Sequence, residues 1–157
     1  MKTIKTIFAF MAVWIGPAAT LVSCSEEKEP EVAAARSVEA TYTGNLTCSV
    51  MGDEELFNDK TLTVVATDDA HVTVTIPSFG NAPMELPEIE VDGVKVTEKA
   101  GRYALGSTTF AGTTAGGRAY SGTLQGELAD NMMTIRFNLQ YGAMPMPLIC
   151  TFSAPRQ

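Results

Sequence analysis

Apolar residues in this chain recur at every second position, and that period constrains the fold more than any other feature. Leu62 and Val64 alternate with Thr61 and Thr63, and Val72, Val74 and Ile76 with His71, Thr73 and Thr75. Val94 and Val96 flank Lys95. The same alternation runs through Tyr42 to Val50, Tyr120 to Leu128, Met133 to Tyr141 and Leu148 to Phe152. Successive side chains of a strand point to opposite faces, so each run has one buried and one wet side. Threonine fills many of the wet positions, as suits a pleated surface.

Turn-forming residues fall between the runs: Asp68-Asp69, Gly80-Asn81, Asp92-Gly93, Gly101, Gly116-Gly117 and Asp130-Asn131. No stretch of the mature domain shows a convincing amphipathic helix, and about eight strands fit in residues 39–157. Evenly spaced antiparallel strands predict an all-β domain, an up-and-down meander closed into a barrel or packed as a sandwich. Closure removes exposed strand edges. The segments Tyr42-Thr43-Gly44-Asn45-Leu46 and Tyr120-Ser121-Gly122-Thr123-Leu124 form a weak internal repeat, with Tyr, Gly and Leu on one face. An inward glycine leaves room for an aromatic neighbour or for tight curvature. The stretch Ala111 to Arg118 reads as a mobile rim loop.

Composition narrows the function classes. The 157 residues suffice for one domain. Eleven Lys+Arg against 18 Asp+Glu give a net charge of −7, the wrong sign for a nucleic-acid surface. One His and three Cys are too few for a Cys/His zinc cluster, and neither a metal nor a cofactor is expected.

The N-terminus reads as an address. Lys2 and Lys5 precede an apolar stretch from Ile7 to Thr20, too short to span a bilayer, which takes roughly 20 apolar residues. Residues 1–23 therefore suit a secretory signal peptide. Its end, Leu21-Val22-Ser23-Cys24, resembles a bacterial lipobox. That resemblance implies cleavage before Cys24 and acylation of Cys24, with the membrane as partner through the lipid. Two or three acyl chains anchor stably where one does not. Residues 24–38 begin with an acidic, proline-punctuated tract and read as a tether. The tract also resembles the surface-export signal of Bacteroidetes lipoproteins, which implies an outer-membrane location facing outward; a plain charged linker is the alternative. Loss of Lys2 and Lys5 brings the net charge near −9.

The tracts YTGNLTCSVMG, YSGTLQGEL and MPMPLICTF together resemble the calycin-like β-barrel domain of Bacteroidetes lipoproteins, over nearly all of residues 40–154. The resemblance implies a calycin- or lipocalin-like barrel over residues 39–157. Calycins include barrels that bind small apolar ligands, although a fold alone does not fix a function. The inward aromatic and apolar positions Tyr42, Leu46, Val74, Tyr103, Tyr120, Leu124, Phe137 and Phe152 are the candidate ligand lining.

Cys48 and Cys150 occupy inward positions of the first and last strands, which are neighbours in a closed meander. An exported protein meets an oxidising compartment, so a disulfide is one reading and two buried thiols behaving as small hydrophobes is the other.

Catalytic signals are thin. His71 follows Asp68-Asp69-Ala70 at a hairpin, but no nucleophile elbow accompanies it, and a solvated turn residue is the commoner role. Met144-Pro145-Met146-Pro147, with Met132 and Met133, offers soft thioethers that suit Cu(I), or else a stiff loop plugging the barrel end. Asp53-Glu54-Glu55 and Glu85, Glu88, Glu90 and Asp92 lack calcium-loop spacing. The expectation is a non-enzymatic envelope lipoprotein whose barrel binds a small apolar ligand. The alternative is a solid barrel that meets a partner protein or a surface glycan.

Overall fold

The computed structural model describes residues 33–82 and 84–157. The expected signal peptide (1–23), the lipidated Cys24 and the tether as far as residue 32 lie outside the described residues.

Eight antiparallel strands close into one barrel in chain order, each hydrogen-bonded to the next and the last to the first. They are β1 (Ala40–Val50), β2 (Asp53–Ala66), β3 (His71–Ile76), β4 (Ile89–Lys99), β5 (Arg102–Thr113), β6 (Ala119–Ala129), β7 (Met132–Tyr141) and β8 (Leu148–Pro155). The period-2 residues supply the core. Leu62, Val72, Val74, Val94, Leu124, Ile135, Leu139 and Phe152 are all buried, while their threonine neighbours face out.

The two ends of the barrel differ. At one end the connections are short. Asp130 and Asn131 both adopt positive φ, 51° and 64°, and so do Ala100 and Gly101, at 54° and 76°. Paired positive φ values match the twist of a tight hairpin. A short helix, α1 (Ala34–Val38), covers this end with Ala35 and Val38 fully buried. The Ala35 amide donates to the Asp69 carbonyl at 3.3 Å. Residues 34–38, expected to lie in the tether, therefore belong to the domain: two apolar side chains have a core to enter. At the other end run the β1–β2 hairpin and the longer connections 77–88, 114–118 and 142–147.

Two other sequence expectations are corrected. Asp92-Gly93 is not a turn but a bulge inside β4: Asp92 and Gly93 together oppose Thr73, and Gly93 takes a φ of 69°. The segment from Ala111 to Thr113 is not loop but strand, paired with Ala119 to Ser121 of β6; the turn is confined to 114–118.

Candidate functional site

Six of the eight side chains expected to line a ligand site instead fill the barrel. Tyr42, Leu46, Val74, Leu124 and Phe152 are fully buried, and Phe137 nearly so. The Tyr42 hydroxyl donates to the Val38 carbonyl of α1 at 2.7 Å, and burial pushes its pKa above the usual tyrosine range. Tyr103 and Tyr120 are half-buried on β5 and β6. Tyr120 lies across Gly112, its direct partner, where any Cβ would collide with the ring. Side chains of eight strands suffice to fill a barrel of this size.

A cavity of about 430 Å³ opens instead at the end opposite α1. Phe79 forms its floor. That ring is buried, with its centroid 6.0 Å from Phe137 in the core and 6.0 Å from Phe57 in the cavity wall. Edge-on and tilted contacts at this spacing suit the quadrupoles of aromatic rings. The connection 77–88 presents Phe79 by folding back on itself: the Leu86 amide donates to the Phe79 carbonyl at 2.8 Å, and Phe79 returns the bond at 3.3 Å. Gly80 makes the reversal at φ 94°, with the Met84 carbonyl too close to admit a Cβ. The Lys60 ammonium donates to the Ser78 carbonyl at 2.9 Å and pins the start of this fold.

The walls are apolar: Cys48 and Val50 from β1, Tyr141 and Leu148 from β7 and β8, and Leu86, Met84 and Met144 from the connections. Met84 is substantially exposed, and thioether side chains at a mouth can reshape around a guest. The lip is acidic. Cys48 pairs with Glu55 and Val50 with Asp53, so both carboxylates lie on the inward face of β2, above the apolar chamber. Asn81 donates to Glu55 at 2.5 Å.

The residues from position 38 to 154 match the family model of the calycin-like β-barrel domain. The chain belongs to this family. The calycin-like barrel is also similar to a crystal structure of a Bacteroides fragilis protein provisionally named an outer membrane protein, with a TM-score of 0.70 and 22% identity. The alignment covers 80% of this chain but 53% of that longer one, and at this identity the likeness concerns the fold. No curated protein matches the chain in sequence.

The calycin-like barrel places the remaining sequence candidates as follows. Cys48 and Cys150 are direct cross-strand partners, both buried, with their sulfurs 2.6 Å apart. The contact with Cys48 together with burial pushes the Cys150 thiol pKa strongly up. His71 is tied to its own turn: Nδ1 lies 2.9 Å from both Asp68 carboxylate oxygens, and Asp68 Oδ1 accepts the amides of Ala70 and His71 at 2.7 and 2.8 Å. The Ala70 amide, followed by the His71 ring, holds the Asp68 carboxyl below its ordinary pKa. These bonds account for the pair as a turn device. Met132 and Met133 begin β7, whereas Met144 and Met146 lie beyond its other end. A ten-residue strand, roughly 30 Å long, keeps the two methionine pairs apart, so they do not converge on one ion. Among the described residues, no three His, Cys, Asp or Glu side chains gather around a metal-sized space.

Sequence reasoning missed Phe57, Phe79, Leu86, Tyr141 and Leu148 as lining residues. The pattern Ser78-Phe79-Gly80-Asn81, an aromatic residue beside a turn signal inside a long connection, was the one available clue.

Proposed function

We propose that this calycin-like barrel is a non-enzymatic envelope lipoprotein that holds a small, largely apolar molecule at its open end. The observation that carries this reading is the cavity of about 430 Å³, walled by apolar side chains and floored by Phe79. Small-molecule sites run from ~300 to 1,000 Å³ and are mostly apolar with few polar groups. An envelope location rests on the lipobox-like tract ending at Cys24 and agrees with the name given to the Bacteroides fragilis neighbour. The helix α1, where the described residues begin, lies at the end of the barrel opposite the cavity.

A second reading, an interaction module, has one observation in its favour. An open depression of about 650 Å³ crosses the outer face of β5 to β7 and is edged by Thr109, Ser121, Thr123, Asn138 and Gln140. Its unenclosed surface, where these hydroxyls and amides sit beside Phe110, Ala111 and Pro147, suits the mixed polar and apolar faces of a glycan better than a lipid. The deeper, mostly apolar chamber at the barrel end favours the first reading.

Native mass spectrometry of the purified domain, combined with titration of the neutral fluorophore N-phenyl-1-naphthylamine, tests the proposal. A saturable complex of one probe per domain, lost in the cavity-filling variant Met144→Trp, is the expected result. Absence of saturable binding, or equal binding by Met144→Trp, overturns it.

A further inference from the structure

The ligand class can be narrowed by charge, on the reading that the end cavity is the binding site. Three observations bear on it. First, the lining contains Asp53, Glu54 and Glu55 and no Lys, Arg or His. Second, the register places Asp53 and Glu55 on the same sheet face as Val50, Cys48 and Phe57, so these carboxylates project over the chamber. Third, the neutral amide of Asn81 donates to Glu55 and orients the carboxylate without cancelling its charge. Two cations approach the walls from outside the lining: Lys60 lies 5.9 Å from the Phe57 ring centroid and Arg118 5.8 Å from that of Tyr141. Lys60 is further held by the Ser78 carbonyl.

We infer that the cavity takes cationic amphiphiles, molecules with an apolar body for the chamber and an ammonium or related cation at the acidic lip. An anionic head group, as in a fatty acid or an alkyl sulfonate, would meet two like charges there, with no cation among the lining residues. Attraction at an exposed lip is moderate and is weakened by salt.

The test uses three probes that share a ten-carbon chain: decyltrimethylammonium, 1-decanol and decanesulfonate, kept below aggregation and displacing N-phenyl-1-naphthylamine. In the wild-type domain the ammonium compound should displace the fluorophore at a concentration on the order of 5- to 10-fold lower than decanol, with decanesulfonate weakest. In D53N/E55Q, which keeps the side-chain shapes and the bond from Asn81 and leaves Glu54 as the one lining carboxylate, most of the ammonium advantage over decanol should be lost while decanol is unchanged. Equal displacement by all three probes, or a cation preference undiminished in D53N/E55Q, overturns the charge inference and leaves the apolar site standing. Failure of the fluorophore or of every probe to bind removes the site itself, and the inference falls with it.

Discussion

Cys48 and Cys150 stand directly opposite each other where β1 meets β8, both buried, with their sulfurs 2.6 Å apart. This is the seam that closes the barrel, and it joins residues 102 positions apart in the chain. In an oxidising compartment the pair is expected as a disulfide. Closing so long a loop restricts the unfolded chain, a contribution of about 2 to 5 kcal/mol. The expected result is a native domain that resists alkylation until reductant is added, with Cys48→Ala/Cys150→Ala lowering the unfolding free energy by that amount. Two thiols that label freely in the unreduced, denatured protein would contradict this.

Tyr42 ties the helix to the barrel. Its ring is fully buried and its hydroxyl donates to the Val38 carbonyl. Tyr42→Phe should cost roughly 1 to 2 kcal/mol in urea unfolding, because it leaves a carbonyl at the covered end without its partner. Burial, opposed by the charge of Arg156, raises the hydroxyl pKa. A raised folded pKa gives stability that is fully present below the ordinary tyrosine pKa near 10 and is lost as pH rises through the folded value. The alkaline limb of the stability profile should therefore flatten in Tyr42→Phe. An unchanged limb would show that another group sets it.

Gly122 lets β6 pass close to its neighbours. A Cβ there would collide with the Asn138 backbone oxygen and come within 2.6 Å of the Phe110 ring. The backbone oxygen cannot yield without disturbing the β6–β7 ladder, where Gly122 faces Leu139. Gly122→Val should destabilise the domain by about 1 to 3 kcal/mol or more, read as a lowered urea midpoint at unchanged slope. A midpoint equal to wild type would refute the close-approach account.

The strands were legible because burial on one face writes itself into the sequence as period 2. What stayed hidden follows from the bulges. In β4, Ile89 and Val91 point inward, yet beyond the Asp92-Gly93 bulge the inward residues are Val94 and Val96. In β5 the register shift between Leu105 and Thr108 moves burial from Leu105 to Phe110, which is why that strand shows no simple alternation. The bulge with most consequence is in β2. Leu62 and Val64 set even positions inward, and extending that parity would put Leu56 inside. The shift opposite Gly44 and Leu46, with Asp59 at φ 54°, reverses the parity. Phe57, Glu55 and Asp53 turn toward the cavity and Leu56 is left exposed. One inserted residue flips every later side chain, and pattern alone does not reveal it. The cavity floor was hidden for a different reason: Phe79 reaches the core from a connection rather than a strand, so no periodicity marks it.

A packed barrel body with an apolar ligand chamber at its open end has a direct test in methyl NMR of the domain during titration with 1-decanol. Saturable shifts are predicted for Met84, Met144 and Leu148, which line the chamber, with Leu124 and Met133 in the packed body unmoved. Shifts centred on Leu124 and Met133, or no saturable shifts at the three lining residues, would contradict the account.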